Sequence, residues 1–263
     1  MWLHAVIFVS VLNVVKPLDC CGPALKGTVP DATGPATPGV QVSSERFGNV
    51  SGQTVFRYTI KNKDMSFQVM NYGAYLTSIT VPDKQGRSKD VLLGHDTLKE
   101  YVDKKRRFGA IIGRVANRIA NSSFTLDGQV YKLNPSGSRS HYTIKGGIKG
   151  WDQAVWKAST RADGVTFSLL SPDGDEHFPG AVQAQVTYRL TEDSSLQVAM
   201  RAETTKATPI NVFSHWYMNL AGHDAGAEGV YATRLKLNAD LYQPLDIYDN
   251  HVVPRTTSAH LVF

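Results

Sequence analysis

The feature that most constrains the fold is a strict two-residue alternation. Val182, Ala184, Val186, Tyr188 and Leu190 alternate with polar partners, the chain breaks at Thr191 to Ser195, and Leu196, Val198, Met200 and Ala202 continue the pattern. Side chains on a strand point to opposite faces with a period of two, so this stretch predicts an antiparallel pair with one face buried. Thr54 to Lys61 and Met65 to Met70 read as strands around Asn62 to Asp64. Tyr75, Thr77, Ile79 and Val81 alternate with Leu76, Ser78 and Thr80, followed by a turn at Pro82 to Gly86 and a short buried strand at Val91 to Leu93. Asp127-Gly128 and Asp163-Gly164 each stand between strand-like runs, the strongest short-range hairpin signal. Only Asp96 to Val102 suggests a helix, and a short one. The expected class is all-β, a large antiparallel sandwich or barrel.

The 263 residues, 42% of them hydrophobic, suffice for one large β domain or two small ones. The net charge of +5 is scattered. Its main cluster, Lys104 to Arg107, reads as a solvated loop, with a polyanion patch the minority reading; no nucleic-acid motif is present. Ala5 to Val15 is an apolar run too short to span a bilayer and suited to a signal-peptide core. Small residues at Cys20 to Gly22 offer a cleavage point. A buried strand or a misassigned start are the alternatives. The expected division is a signal peptide at 1–22, a Pro/Gly-rich linker at 23–45 and a β domain at 46–263, in a secreted protein; without the signal the chain is cytoplasmic. Cys20 and Cys21 are adjacent and give the domain no disulfide. His177, His223, His251 and His260 lack ligand spacing, so no metal site is predicted. Asn49-Val-Ser51 and Asn121-Ser-Ser123 are glycosylation sequons, relevant if the chain is secreted.

The chemistry gathers around the apolar run Phe108 to Ile119, which ends in Asn117 and Arg118. An amide that donates and accepts, next to a planar fork of donors, suits sugar hydroxyls. The plainer reading is an Arg on a strand end, paired with a carbonyl or carboxylate. His215 lies in an aromatic-rich stretch, Phe213 to Leu220, where a packed core histidine competes with an acid–base one. Asp163, Asp173, Asp175 and Glu176 read as turn residues.

Gly113-Arg-Val-Ala-Asn-Arg-Ile119, Ser171-Pro-Asp-Gly174 with Pro179-Gly180, Ala207-Thr-Pro-Ile-Asn211, His215-Trp-Tyr-Met-Asn-Leu220 and Leu241-Tyr-Gln-Pro-Leu-Asp246 follow one another in an order that resembles the aldose 1-epimerases, or galactose mutarotases. The resemblance covers roughly Arg46 to Pro254. It implies a galactose mutarotase-like β-supersandwich, with a sugar cleft on one sheet, that interconverts the α and β anomers of galactose or glucose without cofactor or metal. His215 would be the proton donor, and Asn117, Arg118 and Tyr217 would bind hydroxyls. Lys145 stands before Gly146-Gly147, where the family has His, and Ser214 and Met218 also depart from the pattern. Trp216 is either a stacking face or a core residue. The family's glutamate base and a sugar-binding aspartate have no counterpart, and the C-terminal strands are expected to be missing. This implies little activity for the chain by itself, with Glu176 and Asp246 the fallback bases. The alternatives are a non-catalytic carbohydrate-binding relative and an inactive fragment of a longer epimerase.

Overall fold

The computed structural model describes residues 37–104, 106–137 and 141–234, together with the backbone of short strands at 13–15, 241–242 and 255–256. The predicted signal peptide is represented only by strand β1 (Asn13–Val15), paired antiparallel with Thr208–Ile210. Cys20, Cys21, Asp246, His251 and His260 lie outside the described residues.

β2 (Gln41–Val50), β3 (Gln53–Lys61), β4 (Ser66–Met70), β5 (Leu76–Pro82) and β6 (Ser88–Asp90) form a five-stranded antiparallel sheet in chain order. β2 takes in Gln41 to Glu45, which composition assigns to the linker. Its backbone pairs with β3 from Gln41 opposite Lys61, but its side chains are mostly exposed, so no apolar pattern marks it. Val91 to Leu93 is not a full strand; Leu92 makes a single bridge to Met218. Helix α1 (Leu98–Lys104) starts two residues later than expected and is capped reciprocally. The Glu100 amide donates to Thr97 Oγ1 at 3.3 Å, and Glu100 Oε2 accepts from the Thr97 amide at 3.3 Å.

β7 (Ile111–Ile112), β8 (Arg118–Ala120), β9 (Ser123–Leu126), β10 (Gln129–Lys132) and β11 (Tyr142–Ile144) are short. The β9–β10 hairpin turns through Asp127 and Gly128 at φ 50° and 79°, the pair of left-handed residues such a turn requires. β12 (Lys157–Arg161), β13 (Gly164–Ser171), β14 (Val182–Leu190) and β15 (Leu196–Thr204) form the four-stranded meander. β16 (Thr208–Ile210) and β17 (Phe213–Ser214) follow, then helix α2 (Gly226–Tyr231) and the pair β18 (Leu241–Tyr242) and β19 (Arg255–Thr256).

The two larger sheets share one core. Tyr58, Ile60, Phe67 and Val69 from β3 and β4 pack with Val165, Phe167, Val186 and Tyr188 from β13 and β14. The Phe167 ring lies 5.7 Å from Tyr58 and 6.1 Å from Tyr188, both edge-on. Each such side chain contributes roughly 1.5–3 kcal/mol by leaving water. The fully buried Tyr188 hydroxyl donates to the Ala74 carbonyl at 2.8 Å, and burial pushes its pKa above the usual tyrosine value.

Two expectations change in this sheet. Arg161 pairs with Gly164, so the β12–β13 turn is Ala162-Asp163 and Gly164 is the first strand residue. A Cβ there would lie 1.9 Å from the Tyr188 carbonyl oxygen, which explains the glycine by close approach. Asp163 is in the turn, as predicted, but buried, accepting from Arg161 Nε at 3.4 Å and Arg189 Nε at 2.8 Å. Met200 is exposed, although Leu196, Val198 and Ala202 of the same strand pack against the core.

Candidate sugar-binding face

The face is built on β7 and β17. Phe213 pairs with Ile112 and Ser214 with Ile111, and the ladder continues past both strands. The His215 amide donates to Ala110 O at 2.8 Å, and the Gly109 amide donates to His215 O at 2.8 Å. Beyond it the Leu93 amide donates to Tyr217 O, and the Asn219 amide to Val91 O, each at 2.8 Å. His215 is thus fixed in an extended segment whose backbone bonds run first to residues 109–112 and then to residues 91–93. Alternation then sorts its side chains. Trp216 and Met218 pack into the main core. That assigns Trp216 to packing rather than to a stacking platform. Phe213, His215 and Tyr217 share the other side, with ring centroids 5.4 Å and 5.0 Å apart in sequence. Phe108 adds an edge-on contact to Tyr217 at 5.2 Å, and His95 sits 5.2 Å behind Phe108.

The second wall comes from the β8–β11 pair, where Ile144 registers with Arg118. The Lys145 amide donates to Asn117 O at 2.9 Å, and both residues adopt φ 57°, so the pair ends in two left-handed corners facing one another. Asn117 is exposed, and its Oδ1 accepts from Arg118 Nη1 at 3.1 Å. The Arg118 guanidinium lies 5.0 Å from the Tyr142 ring centre. Lys145, Asn117 and Arg118 are therefore brought together. Gly146 follows at φ 85°, where a Cβ would stand 1.9 Å from the Gly113 carbonyl oxygen. The turn is closed against β7 and cannot accept a larger residue. Glu176, itself at φ 48°, grips the far side of this turn: its carboxylate accepts from the Ile148 amide at 2.9 Å and the Lys149 amide at 3.0 Å. That commitment removes it as a fallback base.

Sequence reasoning missed two groups here. Arg107, read as part of a solvated cluster, folds inward, and its Nε donates to Asp152 Oδ2 at 2.9 Å. Asp152 is buried, and its other oxygen has no hydrogen-bond partner. Burial pushes its carboxyl above the usual range, against the pull of Arg107. The two residues are too far apart in the chain for any local pattern to pair them.

The electrostatic consequence falls on His215. Burial, then the Lys145 ammonium, then Arg107 hold its imidazole down to about 4. Lys145 is itself lowered, first by burial and then by Arg107. The free site thus presents a neutral imidazole, an acceptor as well as a donor, beside a cationic amine.

Arg114 belongs to a separate socket. Its buried guanidinium donates to Ser171 Oγ at 2.9 Å, Pro179 O at 3.0 Å, Ser171 O at 3.2 Å and Pro172 O at 2.7 Å. The motifs Ser171 to Gly174 and Pro179-Gly180 are this socket. Asp173 braces it by accepting from the Gly180 amide at 2.6 Å, so its carboxylate is structural, as the turn reading holds.

The aldose 1-epimerase family model matches residues 57–259. Galactose mutarotase from Sus scrofa is 39% identical over 209 residues, covering 79% of this chain and 60% of that protein. Aldose 1-epimerase from Escherichia coli is 38% identical over 197 residues, covering 74% of this chain and 56% of that protein. The chain therefore spans about 60% of the length of the curated relatives it matches. Among solved structures, an aldose epimerase homologue from C. elegans superposes with a TM-score of 0.69 at 27% identity, over 75% of this chain and 59% of that one. Galactose 1-epimerase from Lactobacillus acidophilus shares the fold at a TM-score of 0.71 and 23% identity, over 84% and 64%.

Proposed function

Given that the chain belongs to the aldose 1-epimerase family, we propose that this face binds an aldohexose, galactose or glucose, and interconverts its α and β anomers. The carrying observation is that His215 shares one face with Tyr217 and Phe108, within electrostatic reach of Lys145. Ring opening requires a proton delivered to the ring oxygen while one leaves the anomeric hydroxyl. The ring then closes on the other side of the aldehyde. His215 is the donor in this reading, and Asn117, Arg118, Lys145 and Tyr217 hold hydroxyls. The nearby carboxylates are committed, Asp152 to Arg107 and Glu176 to backbone amides, which leaves the base role unassigned among the described residues.

The test is anomer exchange of galactose, followed by NMR saturation transfer with the full-length protein. His215→Ala lowers the rate about 10²–10⁴-fold if the imidazole transfers the proton; a loss below about threefold overturns the assignment. The pH profile fixes the direction of transfer. With His215 held at about 4 in the free protein, an acid role makes kcat/KM climb as pH falls from 7 towards 4. A base role makes it fall through the same value. If galactose binds but exchange never exceeds the buffer rate, the protein is a carbohydrate-binding relative instead.

We further propose that the chain enters the secretory route, from the apolar run Ala5 to Val15. Asn49 and Asn121 are both exposed, as glycosylated sequons must be. Deglycosylation of protein from the medium of a eukaryotic host lowers its mass; an intact Met1 on a cytosolic product rejects the route.

A further inference from the structure

The backbone of His215 is held by a four-residue turn. The Ala110 amide donates to Arg107 O at 3.2 Å, which closes Arg107-Phe108-Gly109-Ala110, with Gly109 in the third position at φ 88°. Three of these residues reach the proposed site. The Gly109 amide and Ala110 O each bond the His215 backbone at 2.8 Å, and the Phe108 ring lies 5.2 Å from the Tyr217 ring. The fourth, Arg107, ties the turn down, its Nε donating to Asp152 Oδ2 at 2.9 Å. Asp152 is 2% exposed, so this is not one of the surface ion pairs that contribute little. Arg107 reaches it from φ 59°, a left-handed backbone that such a side chain seldom adopts and that surrounding contacts must hold in place.

Asp152 belongs to the other wall. It sits in the 3-10 turn Trp151–Gln153, directly after the segment Lys145 to Gly150. Gln153 Nε2 donates to Ile148 O at 2.9 Å, and the Trp151 amide donates to Gly113 O at 3.3 Å. A Cβ on Gly150 would lie 2.5 Å from Lys145 O and 2.8 Å from Asp152 Oδ1, so the carboxylate is packed at the base of the Lys145 turn. Among the described residues, Arg107 is the one side chain that bonds it. One buried ion pair therefore joins the turn that holds His215 to the segment that carries Lys145.

We infer that Arg107 and Asp152 are positioning residues for the reaction: their ion pair fixes the turn 107–110, and with it His215 and the Tyr217 ring, against the wall that carries Lys145. The inference rests on the acid role proposed for His215 and adds the residues that aim it. Neither side chain needs to touch the sugar. Without the pair, His215 keeps its place in the ladder while the turn beneath it loosens, and proton transfer tolerates little misplacement.

The test uses the full-length protein with Arg107→Gln, Asp152→Asn and the double variant, which removes both charges and so strands neither. The first readout is amide hydrogen exchange by NMR, which needs no ligand. Each single variant should speed exchange of the Gly109 and His215 amides about tenfold or more, with the Val186 and Tyr188 amides of the main core unchanged within about twofold. The double variant should add less than about twofold to the larger single effect, because both changes break the same bond. Arg107→Lys keeps the charge, can reach the same oxygen and should restore most of the protection. The second readout is galactose anomer exchange. There kcat should fall about tenfold and KM change by less than about threefold, because Asn117, Arg118 and Lys145 stand on the other wall. Unchanged exchange at Gly109 and His215, an equal loss of protection in the main core, or single effects that simply add would overturn the inference. So would a selective loss of protection with kcat intact, the mark of a turn held for stability alone. Absence of galactose exchange in the unaltered protein would sink the sugar reading instead, and this inference with it.

Discussion

Arg114 follows Gly113, Lys145 precedes the Gly146 that packs on the Gly113 carbonyl, and the protein treats their charges in opposite ways. Arg114 is buried, its guanidinium donating four hydrogen bonds, to the Ser171, Pro172 and Pro179 carbonyls and the Ser171 hydroxyl. Lys145 is half-buried, and no hydrogen-bond or ion-pair partner for its ammonium stands among the described residues. Burial lowers both, Arg114 to about 10, yet Arg114 remains charged at any physiological pH. A cation that nitrogen by nitrogen is bonded to the protein holds structure together. A cation that the fold partly desolvates and leaves unpaired costs stability and is retained for something outside the chain. The contrast separates scaffold from site on the two segments that meet at the Gly113–Gly146 contact.

The largest test of this contrast is Arg114→Met. It fills most of the space but strands several buried acceptors, so we expect a loss of about 3–5 kcal/mol in urea unfolding. Lys145→Met should change stability by less than about 1 kcal/mol, or raise it, because nothing in the free protein depends on the ammonium. Equal losses for the two variants would erase the distinction.

Much of this division was legible in the sequence, for physical reasons that also mark where it stopped. The alternation of β14 and the Asp127-Gly128 turn are local, and local rules found them. His215, Asn117, Arg118, Lys145 and Tyr217 came from motif resemblance; the rings of His215 and Tyr217 stand side by side, and Asn117, Arg118 and Lys145 meet at the end of the β8–β11 pair. Long-range pairing was invisible. Arg107 lies 45 residues from Asp152, and nothing in its basic cluster announced that one member turns inward. Ser171 to Gly174 looked like an ordinary turn because its role is to offer carbonyls to Arg114, and carbonyls are common to every sequence. Gly164 was misread as a turn glycine, since a need for close approach and a need for positive φ leave the same letter.

An intermediate effect is expected at Glu176, which belongs to both regions. It follows the turn that supplies carbonyls to Arg114 and clamps the turn that carries Lys145. Glu176→Gln retains one acceptor oxygen for the two amides, so we expect a loss of about 1–2 kcal/mol. Faster hydrogen exchange should be confined to Ile148 and Lys149 and their neighbours. Sugar affinity should weaken while the Arg114 socket keeps its protection. A uniform loss of protection across the molecule would mean that the clamp is part of the scaffold and has no special tie to the site.

The smallest effect is the most specific one, and it is read at His215. Its folded value of about 4 lies below the ordinary histidine value of 6.5. The unfolded chain therefore binds more protons than the folded one between those pH values. The resulting contribution to stability is fully present above about 6.5 and is lost as pH falls through 4. Burial is the leading cause and Lys145 the next. Lys145→Met should move the His215 titration upward, followed by the imidazole carbon-bound protons in NMR, without bringing it to 6.5, because the burial remains. The same variant should flatten the slope of stability against pH between 6.5 and 4. Arg107 acts more weakly on the imidazole, so raising the salt concentration, which screens both cations, should move the value in the same direction. An unchanged titration in Lys145→Met would show that burial alone sets the imidazole. The lysine would then be no part of the field around the proton, and its unpaired ammonium would need another explanation.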